Sequence, residues 1–555
     1  EAAAAKFVAG GMPSSLGWLD WAALPELTWA ASGESVPRAV VQWLCGTAVK
    51  SKSPEPDAVL RHYAALFDGG ARERLAAHLL AGWLREDLRP IPPAEAQAEA
   101  TRAATLSYRY YSSQGGPYAG MSVEELQAAL LGTYLRLPAG SATASKGLLA
   151  VVAACGGRDV AGLAERYLQE WYGHRPAQGK ALIAMLAWVD HPGATQLVLA
   201  IGSRFRTKSF QEEAARQVGA LAERKGWTVD ELADRTIPTA GFDADGLLDL
   251  SYGDRHFTAA LRPDLTVELR DHDRTVIKAL PSPRQSDDAD QAKEAKKVLS
   301  AAKRELKVIA ARQSQRLYEA MCTERSWSAE DWARHLLRHP VAGPAVRRLV
   351  WVAVSDDAPA IVFRPLDDGS LTDADDNDVD LPDNARIKVA HDSVLSPEQV
   401  EQWSAHLADY ELNPLFQQLG RGVQAIGPEL RSKREITDFT GHLLEAYALR
   451  GRAGKLGYTR GQTEDGGWFY TYEKHFPTLG ITATITFTGN PLPEQNRVVA
   501  LKTMSFRRKI PAGGQAELTL GDVPAVLVSE CWQDLRLLAA EGTGFDPEWE
   551  KKAEF

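Results

Sequence analysis

The sequence predicts a multidomain chain in which an all-α solenoid half is followed by an α+β module. Three observations predict it. The 555 residues exceed the usual range of a single hydrophobic core. Up to about residue 240, apolar positions recur at threes and fours, which is the helical period. Near residue 236 the pattern changes to strand-like alternation, and from there helices and strands mix.

Within residues 7–236 the helical runs include AVVQWLCGTAV, RERLAAHLLAGWL, VEELQAALLGTYL and VAGLAERYLQEWY. The breakers KSPEP, RPIPP, SSQGGPY and DHPGA separate them. GKALIAMLAWV, ATQLVLAIGSRF and FQEEAARQVGALAERKG are the most regular units. Two helices per unit, at a period of roughly forty residues, match HEAT-like repeats, with an irregular bundle as the competing arrangement. The opening EAAAAK, residues 1–6, resembles a helical spacer added for expression and is set aside from the fold. On that reading the native start lies outside this chain.

In residues 237–555, HFTAALRPDLTVELRDHDRTVIKAL predicts a small antiparallel meander. A basic helix follows, whose Val298, Leu299, Leu306, Ile309 and Leu317 form an apolar stripe opposite a Lys/Arg face. Strands are expected at RRLVWVAVS and AIVFRPL, helices from about 396 to 456, and late strands at GITATITFTG and RVVALKTMSFRRK. PAVLVSECWQDLRLLAAEG reads as the last helix.

A net charge of -10 disfavours indiscriminate nucleic-acid binding. Cys45, Cys155, Cys322 and Cys531 are far apart without metal-type spacing, which points to a reducing cytoplasm. No apolar run is long enough to cross a bilayer, and no secretory leader is recognisable.

Motifs of chemistry are mostly missing. In DWARHLLRHP, the spacing of Asp331, His335 and His339 would place three ligands on one helix face. Leu336 stands where a zinc protease needs glutamate, and Arg334 and Arg338 would repel a cation, so a solvated helix face is preferred. Asp373, Asp375 and Asn377 open like a calcium loop, but Asp378 and Asn384 occupy its glycine and glutamate positions. A hairpin between IVFRPL and RIKVAH is expected there instead. Phosphate-binding glycine loops and a GxSxG elbow are both missing from the sequence. The helix spanning 293–316, with RSKREIT and SFRRKI, carries basic clusters. The preferred explanation is a solubilising face neutralised by nearby acids such as those of SDDADQ.

The second half resembles the MolR-like bacterial family, built on the module known as domain of unknown function 4132. The resemblance runs from GFDADGLLDLSYGDRHFTAALRPDLTVELRD through WSAEDWARHLLRHPVAGPAVRRLVW and LADYELNPLFQQLGR to LVSECWQDLRLL. Relatives often carry helical repeats before this module; a WGR domain, present in some, is not recognisable here. The resemblance implies that HP in RHPVAG is a packing and turn element. It also singles out Arg255 in YGDRHF, His391 in VAHDS and Arg421 in QLGRG as candidate polar-pocket residues for an anion or peptide. Buried ion pairing is the alternative, since structural ion pairs use the same residues.

The leading expectation is a non-enzymatic interaction or regulatory scaffold, with a protein or peptide partner in the solenoid groove and no cofactor or metal. One alternative is an enzyme with an unrecognised active site in the C-terminal module. Another is a nucleic-acid-linked regulator using the basic helix 293–316.

Overall fold

In the computed structural model, which describes residues 2–113, 120–136, 138–171, 173–204, 208–355, 359–464, 466–510 and 514–553, the chain divides into two units, Glu1–Ile237 and Pro238–Phe555. The break expected at SSQGGPY lies largely outside the described residues.

The first unit is helical. Its helices are α1 (Ala2–Ala9), α2 (Arg38–Ser51), α3 (Ala58–Leu66), α4 (Gly69–Asp87), α5 (Pro93–Ser113) and α6 (Val123–Tyr134). They continue with α7 (Leu148–Cys155), α8 (Arg158–Trp171), α9 (Pro176–Leu186), α10 (Pro192–Arg204), α11 (Lys208–Lys225) and α12 (Val229–Arg235). The opening segment, set aside as a spacer by its sequence, packs: Ala4 is buried and Lys50 Nζ lies 4.3 Å from the Phe7 ring centroid. Alanine favours the helix and Phe7 anchors it to α2.

α7 reads LLAVVAAC, apolar on every side, so it can only sit inside. It is enclosed by α2, α3, α4 and α9, whereas a strict one-dimensional stack would give each pair contact with its neighbours alone. From α7 onward each helix touches the next but one: α7 with α9, α8 with α10, α9 with α11, and α10 with α12. α5 and α6 pack on each other around a small cluster of Ala100, Ala104, Leu126 and Leu130.

One buried acid ties this unit together. Asp87, at the end of α4, accepts hydrogen bonds from Tyr167 Oη at 2.5 Å, Gln178 Nε2 at 2.9 Å and Ala142 N at 2.9 Å. Arg175 stands 3.8 Å away and donates to the carbonyls of Gly140 and Pro138. A carboxylate without these donors would be costly at zero exposure.

In the second unit, β1 (Leu247–Ser251), β2 (His256–Leu261), β3 (Val267–Arg270) and β4 (Val276–Ile277) form an antiparallel meander in chain order. α13 (Ala289–Cys322) follows, its N-terminus capped by Asp288. A five-stranded sheet comes next, from β5 (Ser326–Ser328), β6 (Trp351–Val354), β7 (Ile361–Pro365), β8 (Leu371–Thr372) and β9 (Arg386–Val389). Its order is β5-β9-β6-β7-β8, so β9 pairs with β6 and not with β7. The expected hairpin between IVFRPL and RIKVAH is thereby corrected. β7 turns at Asp368–Gly369 to pair with β8, and the acidic stretch then returns to the far side of β6.

The short helix α14 (Ala329–Trp332) packs on β5 and β9, α15 (Gly343–Val346) packs on α13, and α16 (Pro397–Asp409) brings Trp403 and Leu407 into a cluster with Val350 and Val352. Trp332 packs edge-on against Trp351 and Phe363, with centroids 5.4 and 5.5 Å apart. The last sheet takes β10 (Glu435–Ile436), β11 (His442–Glu445), β12 (Thr459–Arg460), β13 (Trp468–Phe476), β14 (Ile481–Pro491), β15 (Val498–Lys509), β16 (Gln515–Glu517) and β17 (Gly544–Phe545). Its main path is β12-β13-β14-β15-β11-β17, with β10 and β16 also on β15. α17 (Ala446–Lys455) and α18 (Ala525–Ala539) pack together, and α19 (Trp549–Lys552) lies on β15. The helical stretch expected over 396–456 is thus only α16 and α17, with β10 and β11 between them.

No helix of the described residues is long and apolar enough to cross a membrane.

Candidate functional site

α18 is a buried helix that carries charge. Its SECWQDL segment puts Glu530 and Asp534 one turn apart on the same face, both essentially without exposure. Such a pair demands cations, and two arrive from distant elements. Arg421 donates to Glu530 Oε2 at 2.6 Å through one guanidinium nitrogen and to Asp534 Oδ1 at 2.8 Å through the other. Lys474, on β13, donates to Asp534 Oδ2 at 3.2 Å. Two negative charges thus meet two positive ones.

The loop bearing Arg421 is held from both sides. Gly420 and Gly422, at φ +74° and +83°, donate their N–H groups to the two oxygens of Asp392 at 3.0 and 2.9 Å. A side chain at either position would be strained in that backbone region. Gln424 N donates to Ser529 Oγ at 2.9 Å, and Gln533 Nε2 to the Gly422 carbonyl at 3.2 Å.

Tyr318 Oη donates to Glu530 Oε2, and Tyr458 Oη to Asp534 Oδ2, each at 3.2 Å. His391 Nδ1 accepts from Ser393 N at 3.1 Å, which leaves the ring proton on Nε2 in the neutral form. That nitrogen stands 3.5 Å from Glu530 Oε1.

Burial opposes the Arg421 charge, but Glu530 and Asp534 outweigh it and hold its pKa above the ordinary arginine value. Burial opposes the Lys474 charge as well, but Asp534, Cys531 and Cys322 together hold its pKa above the ordinary lysine value. Burial raises the Tyr318, Tyr458 and Cys322 pKa values well above the ordinary and pushes Cys531 up to about 12. These groups are poor nucleophiles and poor bases at neutral pH.

Of the three residues singled out by sequence, the structure brings His391 and Arg421 to one carboxylate and leaves Arg255 elsewhere. Arg255 forms a two-pronged pair with Asp287, at 2.9 Å and 2.5 Å, beside the start of α13. Tyr318 near the other end is thirty residues on, roughly 45 Å along the helix. Sequence reading missed Glu530, Asp534, Lys474, Tyr318 and Tyr458. The legible signal was two acids at i and i+4 inside an otherwise apolar helix.

The other candidates resolve locally. His339 Nδ1 accepts from Val341 N and Ala342 N, both at 3.1 Å, and so shapes the turn. Residues 333–337 form a wider π-turn, while His335 lies 3.6 Å from Asp331. Asp373 accepts from Asp375 N and Asn377 N and so staples its own loop. Among the described residues, one close trio of ligating groups is Asp271, His272 and Asp273 on the β3–β4 turn. Asp271 there accepts from Asp273 N and Thr275 N, which is ordinary turn chemistry.

A cleft of about 490 Å³ opens in the first unit. Trp43, Leu44, Val59, Leu60 and Trp188 give it apolar walls, and Glu55, which accepts from Gln217, and Asp57, which caps α3, also line it. Arg224 stacks on Trp188 with its guanidinium carbon 3.8 Å from the ring centroid. A second cavity of about 520 Å³ lies by Lys433, Arg434, Glu435 and Glu517 in the second unit, its charges balanced by an Arg434–Glu517 pair at 3.0 Å.

The fold and site define a two-part protein: a helical unit with an open apolar cleft, and a mixed unit built on a sealed, charge-balanced cluster. Comparison with known proteins adds that residues 275–458 match the family model described as Domain of unknown function (DUF4132). Tyr318, His391, Arg421 and Tyr458 fall within that match. The chain is also similar to Uncharacterized protein YehI of Escherichia coli (strain K12), 29% identical over 279 residues. That similarity takes in 50% of this chain, which spans only 22% of the relative's length. No solved structure matches.

Proposed function

We propose that this chain is a MolR-like, non-catalytic interaction scaffold of the cytoplasm, whose helical unit seats a peptide segment of a partner protein. The carrying observation is the first-unit cleft. It offers apolar walls around Trp43 and Trp188 with two acids, Glu55 and Asp57, in its lining, which fits a segment anchored by one bulky apolar side chain and flanked by lysine or arginine. Val59 is 53% exposed at that site, a large apolar side chain left facing solvent. The next-but-one contacts of α7 to α12 support reading that stretch as a short HEAT-like stack. Four buried free thiols support the reducing compartment.

The second unit supports the same reading over an enzyme. Arg421 is engaged by Glu530 and Asp534, and Arg255 by Asp287, while His391 Nε2 and Glu530 Oε1 face each other at 3.5 Å without a hydrogen bond. Groups so paired give a rigid platform and leave little for substrate.

The test is fluorescence anisotropy of labelled ten-residue peptides, each with a central Phe or Leu between lysines, against the full chain. Binding that Val59→Arg weakens at least tenfold, with an unchanged melting temperature, supports the cleft. Equal binding by the variant and the parent removes it.

A further inference from the structure

The basic face of α13 was expected to be neutralised by the acids of SDDADQ, and the structure commits two of those three acids, Asp287 and Asp288, elsewhere. Asp287 is taken by Arg255 and the Arg284 N–H. Asp288 caps the helix, accepting from Asp290 N and Gln291 N. Beyond them Lys293, Lys296, Lys297, Lys303, Arg304 and Lys307 are all exposed. At 3.6 residues per turn they fall along one side of the helix, in two groups separated by Val298 to Ala302, over roughly 21 Å.

Glu294 meets Lys297 at 3.4 Å, and Arg304 donates to the Ser300 carbonyl. Among the described residues no carboxylate pairs with Lys293, Lys296, Lys303 or Lys307. Ala292, Ala295, Leu299, Ala302, Leu306 and Ile309 are buried on the opposite side, so the helix cannot turn this face inward.

We propose that this lysine stripe docks the phosphate backbone of duplex nucleic acid without reading its sequence. Three features favour that occupant. The stripe lies on one continuous helix, Ala289–Cys322, and a duplex presents a dense charge, about one per 1.7 Å of axis, without first being ordered. Five of the six cations are lysines, point charges suited to a diffuse phosphate field more than to two-pronged carboxylate pairing. No aromatic side chain lies among them for stacking on unpaired bases, and the apolar side of the helix is unavailable for entering a lipid surface. The net charge of -10 limits affinity and makes the contact local.

The test uses the full chain and a fluorescein-labelled 30-base-pair DNA duplex, with anisotropy read from 50 to 200 mM salt. The expected result is a linear fall of log K with log salt, with a slope of about -4 to -5. Combined Lys293→Glu, Lys296→Glu, Lys303→Glu and Lys307→Glu should flatten that slope by about four. A control with the same charge change at exposed Lys52, Lys278, Lys455 and Lys551 should keep its slope and affinity within about threefold. No duplex binding at 50 mM salt, a salt-independent signal, or equal loss in both variants overturns the proposal. So does tighter binding to single strands, to vesicles of anionic lipid or to polyglutamate.

Discussion

Arg421 and Glu530, 109 residues apart in the chain, meet at 2.6 Å inside the second unit. The contact joins a glycine-flanked loop to a helix that would otherwise bury an uncompensated acid. Arg421→Ala leaves Glu530 and Asp534 buried with Lys474 as their remaining paired cation. The expected loss is about 3–5 kcal/mol of unfolding free energy in urea titration. Arg421→Lys should recover little, because one ammonium cannot span both carboxylates as the guanidinium does.

The Arg255–Asp287 pair predicts a pH dependence. The Arg255 guanidinium, helped by the Arg284 N–H, holds the Asp287 carboxyl down to about 2 from an ordinary value near 3.8. A depressed acid stabilises fully above its unfolded pKa, and the gain disappears as pH falls through the folded one. The melting-temperature difference between parent and Asp287→Asn should therefore stay constant above about pH 4 and shrink steadily towards pH 2.

Much of the architecture was legible because burial leaves a periodic trace. VAGLAERYLQEWY became α8, and GITATITFTG and RVVALKTMSFRRK became the long β14 and β15. Other parts leave no local trace. β13, WFYTYEKHF, has too many half-polar positions to announce a strand, and its exposure follows from neighbours on both sides. The pairing of β9 with β6 is a non-local choice that adjacent sequence could not fix. Arg421 and His391 were found as polar residues of a resemblance. Their partners on α18 needed three-dimensional proximity, since cations and acids come from separate elements.

The cysteines give a chemical prediction. Cys45, Cys155, Cys322 and Cys531 are buried and free, and burial pushes Cys155 and Cys531 up to about 12. Ellman's reagent at pH 8 should modify none of the four in the native chain within minutes, and all four in guanidinium. Fast native modification would mean that these cores open readily.

A steric prediction concerns α7. A methyl group at Gly147 would stand 2.1 Å from the Ala48 carbonyl oxygen, a backbone atom of α2 that cannot swing away. Gly147→Ala should cost about 1–3 kcal/mol by overpacking, measured as a lowered urea midpoint. Gly162→Ala, with open space around it, should cost nothing.

In the proposed scaffold, binding belongs to the first-unit cleft, and the second-unit cluster gives support. Hydrogen–deuterium exchange of the full chain, with and without the lysine-flanked Phe peptide, separates the two roles. The predicted result is peptide-dependent protection across α2, the loop at Ser53–Asp57 and the segment around Trp188, with the 391–424 loop and α18 unchanged. Protection confined to the Arg421–Glu530 cluster would contradict the claim.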